Sequence, residues 1–341
     1  MKSLIIGIGA LALSFQLSAQ MEELNGGPVN VPTECIVDGV FIQEHIPTKR
    51  LISYEYVREA DVIYSKRVWQ YIDLREKINL PLYYPLDDIG STGWVKNTSR
   101  WSLWTVIRHH VLKGDLKIFS PYDPASFGLG ALDGDQLKYP VEPSQPGLNF
   151  YTDSLYRDKL VYFFGRLGAQ SDVPLTDENG DPIIITLPDG SQGYKYAPQD
   201  TIWYTSKDII QYKIKEDWFF DKERSVLDQR IIALAPVVYK VSEDATTGKK
   251  TITGTQDLFW LYFPHCRFVF NNYFVYNDAN DAQWMSFDDL FWKRKFSCVI
   301  YKESNTYDRF IDSYRIGVDA LMESERIKEE IRNIEHDVWS Y

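Results

Sequence analysis

WFFDKERSVLDQRIIALAP, residues 218–236, holds three aromatics, a burst of charge and an apolar run that meets a proline. Its reading decides the fold. Just upstream, DIIQYKIKEDWFF (208–220) places Ile210, Tyr212, Ile214, Trp218 and Phe220 on one side of an alternation and Gln211, Lys213, Lys215 and Asp217 on the other. A period of two is the mark of a half-buried strand, because successive side chains point to opposite faces. Asp221 to Ser225 then read as a turn whose charge is solvated, and Val226 to Val238 as a returning strand, apolar on both faces. The stretch is a long antiparallel hairpin.

Outward from this hairpin the pattern alternates between short helices and strands. Ser99 or Ser102 can cap a helix carrying Leu103, Val106, Ile107 and Val111; Gly114 ends it and DLKIF (115–119) begins a strand. The logic recurs where Ser286 caps, Asp288 and Asp289 sit in the first turn, Leu290 and Phe291 face inward, and FSCVIYK (296–302) follows as a strand. After Gly317, residues Ala320, Ser324, Ile327, Ile331, Ile334, Val338 and Tyr341 recur at four and three steps. That narrow seam predicts a C-terminal helix docked in a single groove, favoured as the protein's own sheet. Glu325 with Lys328, Arg326 with Glu330 and Glu329 with Arg332 can pair along its outer surface.

The expected fold is α+β: antiparallel β-hairpins with interspersed short helices and a C-terminal helix. A faint echo between Trp69 with Asp73 and Trp218 with Asp221 admits two related lobes, although the differing spacings fit coincidence equally well. The expected organisation is a signal peptide at 1–19, an extended Pro- and Gly-rich arm at 20–50, a first lobe at 51–120, a loop-rich insertion with a hairpin at 121–200, and a second lobe at 201–341.

The chain of 341 residues is 44% hydrophobic and 25% charged, an ordinary globular balance, but 15% aromatic. Tyr and Trp suit half-wet edges and interfaces, since each joins a large ring to a polar tip. MKSLIIGIGALALSFQLSAQ combines Lys2, an apolar stretch too short to span a bilayer well, and Ala19 before Gln20. It reads as a secretory signal cut near Ala19. Lys2 is the only charge in residues 1–19, so its removal leaves 36 basic against 48 acidic residues. Such a surface opposes nucleic acid and anionic lipid. In an exported compartment, three cysteines leave one over: Cys266 and Cys298 could meet, and Cys35 in the arm could pair with another chain or stay reduced.

Motifs for chemistry are incomplete. GLGALDG (128–134) has the wrong glycine spacing for a dinucleotide turn. Asp177, Asn179 and Asp181 match the first three ligand positions of a calcium loop, but Pro182 and Pro188 stand where Gly and Glu belong. On a helix, adjacent His109 and His110 point about 100° apart and do not chelate together. His265 and Cys266 have no second ligand pair at zinc spacing. Asp87 with Asp88 and Asp288 with Asp289 read as turn and helix-start residues. No catalytic, cofactor-binding or metal-binding residue is expected.

Five blocks resemble the GldN/PorN family of the type IX secretion and gliding-motility machinery. They are IDLREKINLPLYYP (72–85), YKIKEDWFFDKERSVLDQRIIALAPV (212–237), LFWLYFPHCRFVF (258–270), FDDLFWKRKFSCVIYKESNTYDR (287–309) and ESERIKEEIRNIEHDVWSY (323–341). The resemblance implies a periplasmic protein without known catalysis. It would assemble with the outer-membrane lipoprotein GldK/PorK into a ring and meet the periplasmic part of GldM/PorM, which forms an inner-membrane motor with GldL/PorL. Ring closure needs two different patches per subunit. The candidate interface residues are Cys35 in the arm, Asp221, Lys222, Glu223 and Arg224 at the hairpin tip, and Trp339 and Tyr341 at the C-terminus. For each, folding onto its own domain is favoured somewhat over contact with a partner. The rival readings are a secreted glycan- or peptide-binding module, with an open groove lined by several of Trp69, Trp94, Trp101 and Trp218, and an enzyme with a site assembled from distant residues.

Overall fold

The computed structural model describes residues 51–339 except 91–92, 98–99, 125–132, 169–173, 177–181, 187–191, 197–200, 244–249, 279 and 281–284. The chain forms two compact units, one built from residues up to Glu142 and from Thr205 onward, the other from Pro143–Tyr204. Mixed helices and open antiparallel sheets make the fold α+β.

The larger unit is built on one sheet. Its strands are β1 (Val62–Asp73), β2 (Ile118–Phe119), β3 (Pro140–Val141), β4 (Ile209–Asp221), β5 (Val226–Glu243), β6 (Lys250–Asp257), β7 (Trp260–Tyr262) and β8 (Val299–Glu303). They lie in the order β8-β1-β4-β5-β7-β2-β3, with β6 paired to the far part of β5. Every pairing is antiparallel. β1, from the stretch read as the first lobe, lies between β8 and β4, from the stretch read as the second.

The hairpin of the opening stretch is β4 and β5, paired from Asp221 opposite Val226 to Ile209 opposite Val238, with the register shifting between Lys215 and Glu216 and between Ile209 and Gln211. Tyr212, Ile214, Trp218 and Phe220 are buried as the alternation predicts. Two charges depart from it. Glu216 is fully buried on the apolar face, where it accepts hydrogen bonds from Gln70 Nε2 at 2.7 Å, Trp218 Nε1 at 2.9 Å and Arg294 Nη1 at 2.7 Å. Lys215, expected in solvent, is buried on the opposite face because its ammonium donates to the Asp135 carbonyl at 2.8 Å. Nor does Pro236 end β5. β7 pairs with Ala233 and Leu234 and β6 takes over at Val237, so the residue lacking an N–H stands where the neighbouring strand changes. Its carbonyl still accepts from Leu258 N at 3.0 Å.

The unit's helices are α1 (Leu80–Tyr83), α2 (Leu103–Lys113), α3 (Phe263–Phe270), α4 (Phe287–Trp292) and α5 (Val318–Trp339). Ser102 is the cap of α2, accepting from Thr105 N at 3.3 Å, and Gly114 closes the helix at φ +95°. Ser286 caps α4 reciprocally: its hydroxyl accepts from Asp289 N at 3.0 Å and its own N–H donates to the Asp289 carboxylate at 3.2 Å. α5 lays its seam on the unit's own sheet. Ile327 and Ile331 pack with Val68, Trp218 and Ile300, and Ser324 Oγ accepts from Ile300 N at 2.8 Å. Lys328 pairs with Glu325 at 2.8 Å and Arg326 with Glu330 at 2.8 Å, and Arg326 also reaches Glu323 at 2.7 Å.

Cys266 and Cys298 do not meet: both are free thiols. Cys266 is packed inside α3, and the Cys298 thiol donates to Gln70 Oε1 at 2.7 Å, held in the Glu216 network. Burial pushes the Cys298 thiol up to about 11. The smaller unit holds a helix at Ser154–Phe164, capped by Asp153, and two strand pairs: Gly165–Leu167 with Thr201–Trp203, and Ile184–Thr186 with Gln192–Tyr194.

Candidate functional site

The tip of the β4–β5 hairpin is more constrained than a solvated turn. Asp221 is only 4% exposed, which corrects the expectation that its charge faces water. One carboxylate oxygen accepts from Glu223 N at 2.9 Å and the other from Arg224 Nε at 2.8 Å, so the side chain closes the turn from within. That bond to Arg224 holds the Asp221 carboxyl below its usual range. Lys222 N donates to the Asp61 carbonyl at 2.8 Å, tying the tip to the start of β1, while the Lys222 and Glu223 side chains are exposed. Arg224 also pairs with Glu55 at 2.8 Å and Asp228 at 3.3 Å.

Glu55 belongs to residues 51–58, a strap in no helix or strand that continues the arm into the fold. Three arginines hold it. Arg267 Nη2 donates to the Ile52 carbonyl at 2.7 Å, Arg230 Nη2 donates to the Glu55 carbonyl at 2.7 Å, and Arg224 takes the Glu55 carboxylate. Between them the Tyr54 ring stacks on Trp292 with centroids 5.4 Å apart and planes inclined by 21°. The Arg267 guanidinium lies 4.2 Å from the Tyr54 centroid and 4.9 Å from that of Trp292. A desolvated cation over an aromatic face is favourable, so ring and guanidinium fix each other. Burial raises the Tyr54 hydroxyl to about 12.

Arg267 itself is fixed from below by a bidentate pair with Asp288, at 2.7 and 3.1 Å. Asp288 is therefore more than a helix-start residue: it is buried and carries the partner charge of an arginine that α3 sends into the interior. A cavity of about 380 Å³ lies here, lined by the strap, the three arginines, Gln229, Phe263 and Trp292 among others. Two buried polar atoms in its lining residues, Gln229 Oε1 and Arg230 Nε, have no hydrogen-bond partner; Asp228 Oδ2 lies 3.9 Å from Arg230 Nε.

Of the residues singled out in the sequence, the structure brings together Asp221 and Arg224 and places Lys222 and Glu223 at the exposed tip. Cys35 and Tyr341 lie outside the described residues, as does the side chain of Trp339. Tyr54, Glu55, Arg230, Arg267 and Trp292 were not singled out. The signal for Arg267 is its place in an apolar run, LFWLYFPHCRFVF (258–270), with Asp288 in another. A charge inside an apolar helix calls for a buried partner.

Trp69 and Trp218 are buried, and Trp94 and Trp101 half-buried under cations: Lys96 sits 4.8 and 4.3 Å from their centroids. Asp87 is also buried, accepting from Ser206 N at 2.7 Å and Trp94 Nε1 at 2.6 Å. His110 bridges Asp115 at 2.6 Å and the Tyr273 hydroxyl at 2.7 Å, linking the end of α2 to the segment after α3. The Asp177 and GLGALDG motifs fall wholly or mostly outside the described residues; among those described, no three His, Cys, Asp or Glu side chains form a metal-holding group. No described helix is long and apolar enough to cross a membrane. A family model described as gliding motility associated protein GldN matches residues 57–340. No curated protein matches the chain.

Proposed function

Because the chain belongs to the GldN family, whose members are components of gliding motility and type IX secretion, we propose that it is a periplasmic structural subunit of that machinery. The carrying observation is the match itself, which spans 57–340 and so includes the sheet, the hairpin and α5. In this reading the signal peptide is removed near Ala19. The mature subunit assembles with a GldK/PorK-like outer-membrane lipoprotein and with further copies of itself into a ring. It also meets the periplasmic part of a GldM/PorM-like motor protein, and it turns over no substrate. Pro143–Tyr204 forms the larger part of an insertion in the subunit.

Surface chemistry supports association. Tyr56, Tyr307, Ile316, Val318 and Met322 are exposed apolar or aromatic side chains, of the kind that cover contacts between proteins. The exposed charges at the hairpin tip and the terminal residues Trp339 and Tyr341 remain the proposed contact points, with Cys35 in the arm. The test is to co-express the chain with its lipoprotein partner and image the product. Closed rings containing both proteins are expected. A chain that stays monomeric beside the lipoprotein overturns the reading.

A further inference from the structure

The strap at Ile52–Glu55 is held in a way that suits exchange. We propose that the Arg224–Arg230–Arg267–Trp292 clamp is a receptor for this segment, filled within a single chain by its own strap and, in the assembly, by the strap of a neighbouring copy. The inference rests on the ring reading above and names the partner of this site.

Four observations carry it. First, the clamp reads an extended peptide: two arginines donate to main-chain carbonyls at 2.7 Å, the Trp292 ring and the Arg267 guanidinium together hold one tyrosine, and Arg224 takes one carboxylate. A second copy carries the identical segment, so the contacts made in exchange are the same ones. Second, residues 51–58 belong to no strand or helix, so the strap leaves without breaking a sheet. Third, the seat is imperfect within one chain. The cavity of about 380 Å³ persists and Gln229 Oε1 and Arg230 Nε stay buried without hydrogen-bond partners. Leaving such atoms buried is costly, and departure of the strap opens the cavity they line to water. Fourth, the connection from the strap to β1 runs through Tyr56–Asp61, where Tyr56 is 89% exposed and Arg58 has extended dihedrals of −80° and 145°. Glu59–Asp61 form a single 3-10 turn there, and with that turn drawn out the six residues reach roughly 20 Å, enough to cross a contact between adjacent copies.

Exchange of this kind is heterologous. Each copy gives its strap in one direction and receives one from the other, which closes a ring without a two-fold axis. It also explains why the hairpin tip carries Arg224, which ties tip and strap together.

The test uses two full-length chains, both Cys35→Ser, one with Glu55→Cys and the other with Arg224→Cys. Both positions are at the surface, with side chains 66% and 34% exposed. The chains are mixed, assembled with the lipoprotein and treated with a short bis-maleimide; a third chain carrying both substitutions reports closure within one molecule. A cross-chain product joining the two variants is expected in the assembled fraction. Adding Tyr54→Ala to the Glu55→Cys chain should lower its yield by about tenfold or more, the loss of at least about 1.4 kcal/mol of affinity. Rings that give no cross-chain product, while the double variant closes within its own chain, overturn the exchange alone. The absence of rings on imaging overturns the ring reading.

Discussion

Arg294 and Glu216 show how single residues carry this fold. Glu216 is fully buried, and three donors from β1, β4 and the segment after α4 converge on it. Arg294→Met leaves that carboxylate without its counter-charge and should cost about 3–5 kcal/mol in urea unfolding, because an unpaired buried charge is far worse than an absent pair. Glu216→Leu combined with Arg294→Met should recover most of the loss. His109 supplies a pH effect at the same scale. Burial, with Lys96 and His110 adding like charge, lowers its pKa to about 4, against about 6.5 in the unfolded chain. Between those values the unfolded state binds the extra proton. Stability from this group is therefore complete above about pH 6.5 and is lost as pH falls towards 4. The melting temperature should drop between pH 7 and 4.5, and less steeply in His109→Gln. Some slope should remain, since burial also lowers the His110 pKa.

At the scale of elements, local signals were legible and their partners were not. The seam of α5 could be read from its four-and-three spacing, as could the Ser102, Gly114 and Ser286 boundaries, because caps and periods are properties of neighbouring residues. Ile331→Ala should cost about 2–4 kcal/mol in the same unfolding assay, as one fully buried side chain is removed from the contact with Val68 and Trp218. Ser286→Ala should cost about 1 kcal/mol, since it leaves the Asp289 N–H without its cap. An equal loss from Asn333→Ala, on the exposed face of α5, would sink the docking argument. The return strand was read only to Val238 and extends to Glu243, because its last part is held by pairing with β6, which local sequence does not announce.

Over the whole molecule, the question is which exposed features serve assembly. The double reversal Lys222→Glu with Glu223→Lys leaves net charge and core untouched and should change stability by no more than about 0.5 kcal/mol. If the tip touches a neighbour, the same variant should co-purify poorly with the lipoprotein and give fewer closed rings. Unchanged ring yield would remove the tip from the interface. The strap was illegible in sequence: residues 51–58 fall in the stretch read as the first lobe with nothing in them singled out, and its significance comes only from the arginines that close on it.

What the amino-acid order determined by itself was local: a period-two hairpin around Trp218, capped helices followed by strands, a seam on the last helix, and block-by-block resemblance to a family. These follow from interactions a few residues apart, so no knowledge of the fold is needed to see them. Tertiary structure alone decided which charges are buried and what they hold. Arg294 meets Glu216 across 78 positions and Arg230 meets Glu55 across 175. Pairings at such separations depend on how the sheet brings distant strands together, and nothing in the neighbourhood of either residue encodes that.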